Sequence, residues 1–318
     1  MNATNTARLN FARKPIGRHS FDKTLIFYLA GCRGVLNLGD ATDAMSLGAC
    51  PPIHYAIGMD PLLARHIAAC NNVVLPGERL PLRIGGAVIG YVLPAVAALL
   101  ADFDHVSVGR TDVTLAEAAA ADLPRIGAAL AARGFGRVRH EMFDVRAAED
   151  GPVLTRIDRG ALPVLGIAAQ GVHLNGLVRR PDGVHVWVAH RARTKPLDPG
   201  KLDHLVAGGI SAGMDAAETL EKEGEEEAGL PAELARRAVH TGTVRYAMAR
   251  DEGLRRDVLH CYDLYLPEDF VPVAEDGEVE RFELWPAERL LETVRTTDDV
   301  KFNVNLVLID LFQRLGLA

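Results

Sequence analysis

The stretch that most constrains this chain runs from Leu205 to Leu230, LVAGGISAGMDAAETLEKEGEEEAGL. It reads as a strand end, a glycine-rich loop and one acidic helix. Asp215 and Glu218 have the spacing of a capping box, in which each side chain takes a free backbone N–H at the helix start. The helix predicted over 216–228 stops where Gly229 can turn left-handed and Pro231 cannot continue. Its charges work against it. Glu221, Glu223, Glu225, Glu226 and Glu227 crowd its second half, where the helix dipole is already negative. Glu223 and Glu227 repel at i,i+4 by roughly 0.2–0.5 kcal/mol, and Gly224 costs about 1 kcal/mol relative to alanine. Local conflict of this kind is expected where function outranks stability.

Helical geometry sorts the acids. Glu226 lies about 60° to one side of Glu223 and Glu227 about 40° to the other, while Glu221 and Glu225 point away. Glu223, Glu226 and Glu227 therefore form one oxygen-rich face. Hard cations such as Mg²⁺ bind carboxylate oxygens and take substrate phosphates as further ligands. A bare run of three glutamates is usually a solvated face; the glycine loop ahead of it changes that reading.

These residues resemble the Nudix box: G, five residues, E, seven residues, then R-E-aliphatic-x-E-E-x-G-aliphatic. Gly208, Lys222, Glu223, Glu226, Glu227, Gly229 and Leu230 fall at the matching spacings. Three positions depart. Met214 stands at the first Glu, Lys222 at the Arg and Gly224 at an aliphatic. Further tracts, namely GVHLNGLV (171–178), 193–213, DGEVERFEL (276–284) and KFNVNLVLID (301–310), are similar to a Nudix subgroup related to thiamin pyrophosphokinase. Members of that subgroup carry an extra N-terminal domain of unknown function. The resemblance covers about residues 59–318 and includes no kinase domain.

The resemblance implies an α/β fold: a Nudix α/β/α sandwich with a mixed sheet, over residues 159–318. A small α/β accessory domain is expected over 59–158, behind a disordered leader or over-extended start at 1–58. It also implies hydrolysis of a diphosphate linkage, with Glu223, Glu226 and Glu227 holding Mg²⁺ or Mn²⁺. Glu223 or Glu226 is the expected base, and Lys222 orients its neighbours. Glu278, or Glu280, is the candidate for an additional late-loop carboxylate. Arg193 and Lys195 are candidates for binding the diphosphate, since they lie just past a strand and can offset its charge. Gly208 and Gly209 let the backbone approach the ligand.

The remaining chain fits this outline. Its net charge is −7, against the basic patch of a nucleic-acid binder. Cys32, Cys50, Cys70 and Cys261 are scattered with no C-x-x-C pair, so neither a zinc site nor a disulfide framework is indicated; a cytoplasmic location is expected. No apolar run reaches the roughly 18 residues of a membrane span. Residues 1–58 hold Arg8, Arg13, Lys14, Arg18, Lys23 and Arg33 against three acids, a balance that also suits an organelle transit peptide. Helices are expected at 61–69, 94–101, 123–132 and 302–315. A hairpin turns on Gly85-Gly86, a second on 181–183, and strands are expected at 141–145, 238–248 and 258–266. His66, Cys70 and His105 are read as packing residues.

The expected substrate is a small organic diphosphate, with thiamin diphosphate or its oxidised analogues placed first by the resemblance. The alternatives are an oxidised nucleotide such as 8-oxo-dGTP and, from another class, a diphosphate-binding sensor without catalysis. A homodimer is compatible with the sequence, which does not fix the oligomeric state.

Overall fold

A computed structural model describes residues 59–274 and 277–318. The leader expected over 1–58, and Asp276 at the head of the DGEVERFEL tract, lie outside the described residues.

The first part of the chain builds a small mixed unit. Helix α1 (Pro61–Cys70) precedes a hairpin, β1 (Leu80–Ile84) and β2 (Ala87–Val92). Then come α2 (Pro94–Leu100), β3 (Val106–Val108), β4 (Val113–Leu115) and α3 (Leu123–Ala132). The strands form one sheet in the order β2-β1-β4-β3. A separate two-stranded ribbon follows, β5 (Met142–Val145) with β6 (Thr155–Asp158). Leu82, Ile89, Val113, Ile126, Leu130, Phe143 and Ile157 close the core between them. β3, β4 and β6 are too short and weakly patterned to be read from sequence.

A short helix α4 (Leu162–Leu165) leads into the large sheet. Its strands are β7 (Ala168–Arg180), β8 (Gly183–Arg191), β9 (Leu202–Asp203) and β10 (Val206–Gly209). After α5 (Ala216–Ala228) and α6 (Ala232–Ala235) come β11 (Val239–Arg250), β12 (Gly253–Tyr265) and β13 (Val279–Pro286). Two helices end the chain, α7 (Ala287–Thr296) and α8 (Val304–Arg314). The order is β11-β12-β7-β8-β13, with β10 on β7 and β9 on β8. β12 runs parallel to β7, while the other pairs are antiparallel.

Alternation along these strands sends side chains to two cores. Val186, Val188 and Leu259 pack on one face with Leu290, Val307 and Phe312 of the last helices. Val172, Leu174 and Trp187 pack on the other with Leu220 and Leu230 around α5. The result is the expected α/β/α sandwich with a mixed sheet.

One helix is placed by tertiary packing alone. α1 precedes the small unit in sequence, yet Leu63, Ile67 and Cys70 are buried in the same cluster as Val307 and Phe312. Arg65 reaches Asp298 at 2.5 Å, and Arg295 reaches Asp60 at 2.7 Å. The His66 ring bonds the Val294 carbonyl at 2.7 Å. His66 and Cys70 are therefore packing residues, as read from sequence, in the core of the large sheet.

Candidate active site

α5 carries the expected acids, and its ends are built as the sequence predicts. The Glu218 N–H donates to Asp215 at 2.8 Å and the Asp215 N–H to Glu218 at 3.0 Å, completing the capping box. Gly229 closes the helix at φ 58°.

Lys222 lies between two carboxylates. Its Nζ donates to Glu223 at 3.0 Å and to Glu226 at 2.6 Å. The favourable i,i+4 pairing with Glu226 offsets part of the crowding along the helix. Hydrogen bonding to Glu226 leads the causes that push the Lys222 ammonium above its ordinary value.

The acids differ in environment. Glu226 is half exposed. Glu223 leans onto the glycine loop, and burial is the main cause raising its pKa. Glu227 is buried, accepts the Ala207 N–H at 2.8 Å, and is pushed up to about 8, above all by burial. Strand β10 is thereby tied to the last turn of α5 through one carboxylate.

Gly208 is required by that approach. A Cβ there would stand 2.4 Å from Cγ and 2.5 Å from Cδ of Glu223. Gly209 is constrained on the opposite face, where a Cβ would stand 2.6 Å from the Phe143 ring. Both glycines of the loop are close-approach positions, one toward the acidic helix and one toward the β5–β6 ribbon.

A divalent cation fits here. The Glu223 charge raises the Glu227 pKa, and the Glu226 charge raises that of Glu223. The cation they hold within hydrogen-bond reach is Lys222, already shared between Glu223 and Glu226. A buried carboxylate, Glu227, beside a partly buried and a half-exposed one, all short of positive charge, makes a donor set for a hard metal ion.

A second cluster has metal-type residues but does not fit an ion. His173, Asp203 and His204 are buried, with their donor atoms within 4.8 Å of one another. His173 Nδ1 and His204 Nδ1 share a hydrogen bond at 2.8 Å, so one is the donor and the other the acceptor. The Asp203 carboxylate is taken by Arg191 at 2.6 Å and Lys301 at 3.0 Å. Burial opposes its charge, but these two cations hold its pKa below the usual carboxylate range. Added positive charge would face both cations. The cluster is a hydrogen-bonded polar core under the sheet.

The other sequence candidates sit in the segments just after β8 and just before β13. Lys195 pairs with Glu278, and the Arg193 N–H donates to Glu280 at 3.1 Å. Arg193, Lys195 and Glu278 are not among the leading charges acting on Glu223 or Glu227. A carboxylate that does act on Glu223 is Glu141, at the start of the β5–β6 ribbon. No sequence signal marks it, since it precedes Glu223 by some eighty residues.

Residues 170–304 match the family described as NUDIX domain, and residues 62–169 match the domain of unknown function DUF4743. The chain carries a Nudix domain, with a DUF4743 domain ahead of it. Among its relatives is "Nudix hydrolase 20, chloroplastic" of Arabidopsis thaliana, 43% identical over 179 residues, covering 56% of this chain and 48% of the relative. "Nudix hydrolase 24, chloroplastic" of the same plant is 43% identical over 180 residues, covering 57% and 49%. The chain thus spans about half the length of these curated relatives. A solved structure, DR0079 from Deinococcus radiodurans, is 20% identical at a TM-score of 0.41, covering 55% of this chain and 99% of that one. The Nudix match begins C-terminal to Glu141, so that acid reaches the candidate site from the DUF4743 domain.

Proposed function

We propose that this chain is a metal-dependent pyrophosphohydrolase, cleaving a phosphoanhydride bond in a small organic diphosphate to leave the monophosphate. The observation that carries this is the buried Glu227 carboxylate, held by the Ala207 N–H beside Glu223, with Lys222 shared between Glu223 and Glu226. Mg²⁺ or Mn²⁺, when bound by Glu223, Glu226 and Glu227, supplies Lewis-acid polarisation of the phosphoryl oxygens and lowers the pKa of a bound water. The residues do the rest. Ala207 fixes Glu227, and Gly208 lets Glu223 lie against the loop. Glu223 is the better base of the two candidates, because burial raises its pKa toward neutrality and a base works best near the operating pH. Lys222 holds Glu223 and Glu226 together as a point charge, without the fork an arginine would offer.

Thiamin diphosphate or its oxidised analogues are the first substrates to test, on the resemblance of tracts such as GVHLNGLV to the thiamin-linked subgroup. A cytoplasmic location belongs to the same reading and rests on cysteine usage; Cys70 and Cys261 are buried free thiols. The Arabidopsis relatives are named chloroplastic, so imaging of a tagged full chain tests that point directly. Among the described residues no helix is long and apolar enough to cross a membrane.

The test is product analysis with Mg²⁺: phosphate from thiamin diphosphate and its oxidised analogues, pyrophosphate from 8-oxo-dGTP, and two monophosphates from ADP-ribose. Turnover of the thiamin set, lost at least a hundredfold in Glu226→Gln, is the expected result. A preference for 8-oxo-dGTP moves the assignment to nucleotide-pool cleaning. Equal turnover in Glu226→Gln retires the hydrolase mechanism. Binding of a diphosphate without cleavage makes the protein a sensor.

A further inference from the structure

Beyond α5, the charged groups that meet the glycine loop come from the DUF4743 domain. The Met142 carbonyl accepts the Ala212 N–H at 2.7 Å. The Asp144 carboxylate accepts the Gly213 N–H at 3.2 Å, and Glu141 accepts the Ser211 hydroxyl at 3.4 Å. The β5–β6 ribbon is therefore bonded along residues 211–213.

Arg159 follows β6 directly. Its guanidinium meets Glu141 at 2.8 Å and lies over the Phe143 ring at 5.5 Å from the centroid. A Cβ on Gly209 would be 3.6 Å from its Cζ. Arg159 thus rests on the loop one residue from Gly208, whose own contact is Glu223. Glu141 acts in both directions, bonded to Arg159 and close enough to raise the Glu223 pKa.

Positive charge accumulates behind this pair. The Arg139 guanidinium is pushed below its ordinary value, chiefly by burial and then by Arg137 and Arg159. Grouped guanidinium ions repel unless an anion joins them, and a planar fork matches two phosphate oxygens. The Arg159 side chain is 43% exposed, so part of its fork is open to a ligand. Lys195, by contrast, is engaged by Glu278.

We propose that Arg159, positioned by Glu141 and Phe143, binds the diphosphate of the substrate, so that the DUF4743 domain completes the site of the Nudix domain. The ligand class rests on the hydrolase reading; the placement of the cation does not.

The experiment measures binding of imidodiphosphate, a non-hydrolysable diphosphate, by calorimetry on the full chain with saturating Mn²⁺. Arg159→Ala should weaken binding at least tenfold and Arg159→Lys should recover part of that loss. Mn²⁺ affinity and melting temperature should stay at wild-type values, because Arg159 is not a metal ligand. An unchanged affinity in Arg159→Ala, or a tenfold loss in Arg193→Ala instead, overturns the proposal. So does a loss in both Arg159 variants that tracks a fallen melting temperature, since that marks a structural role. The hydrolysis panel separates the two readings. Imidodiphosphate bound through Arg159 by a protein that cleaves nothing in the panel upholds this inference and retires the hydrolase. Cleavage by a protein that binds no imidodiphosphate does the reverse.

Discussion

Gly208 and Glu223 are in contact across the gap between β10 and α5, so closely that a methyl group on Gly208 would stand 2.4 Å from the Glu223 Cγ. Glu223 cannot swing freely away, because Lys222 holds its carboxylate at 3.0 Å. Gly208→Ala should therefore displace the base rather than unfold the sheet. Turnover should fall ten- to a hundredfold, in line with the cost of small misplacements in a site. The overpacking should cost about 1–3 kcal/mol. Steady-state kinetics with urea unfolding checks both; wild-type turnover in this variant would show that the contact is dispensable.

Glu227→Gln separates the carboxylate's structural bond from its charge. The amide oxygen can still accept the Ala207 N–H. Burial pushes the Glu227 carboxyl up to about 8, while an unfolded glutamate titrates near 4.3, so a cost that glutamine lacks builds from about pH 4.3 and is complete above about pH 8. Without metal, the variant should melt a few degrees higher than wild type at pH 8.5, the scale of about 1 kcal/mol in a domain of this size. With Mg²⁺, wild type should gain melting temperature and the variant much less. An equal metal-induced gain in both proteins would remove Glu227 from the ligand set.

The buried histidine pair sets an acid limit. Burial lowers the His204 pKa to about 4 and that of His173 well below its ordinary value. An unfolded histidine titrates near 6.5. Between about pH 6.5 and 4 the unfolded chain therefore binds more protons than the folded one. Stability is fully present above about 6.5 and is lost as pH falls through that window. His66, His190 and His260 are also lowered, first by burial, and add to the same slope. Urea unfolding across this range should show the decline. His204→Asn should be less stable at pH 7.5 but flatter with pH, and an unchanged slope would exclude the pair as its source.

α1 should behave as part of the large core. Leu63 is buried with Val307 and Phe312, so Leu63→Ala should cost about 2–5 kcal/mol. The melting of the Nudix domain should fall with it. A drop confined to the β1–β4 unit, with hydrogen exchange in α8 unchanged, would contradict this packing.

Much of the site was legible in the chain because its parts are neighbours in sequence. The capping box, the acidic face of α5, Gly208 and Gly229 lie within twenty-two residues, and helical periodicity alone brings Glu223, Glu226 and Glu227 together. Gly208 was legible as a close-approach position, though not the side chain it approaches. Arg193, Lys195 and Glu278 carry charge beside strand ends, a property legible locally, but their partners are not: Lys195 pairs with Glu278 and the Arg193 N–H donates to Glu280 across the ends of β8 and β13.

What the sequence determined by itself is the period of its apolar residues, the turn and cap chemistry, and one box of acids on one helix. These are short-range properties, set within a few residues by backbone geometry. Tertiary structure alone decided that α1 crosses to the far core, that His173 meets His204, and that Glu141 and Arg159 lean on the glycine loop from another domain. Those contacts join residues tens to hundreds of positions apart, and no local spacing encodes them; they follow from which apolar faces must be buried together.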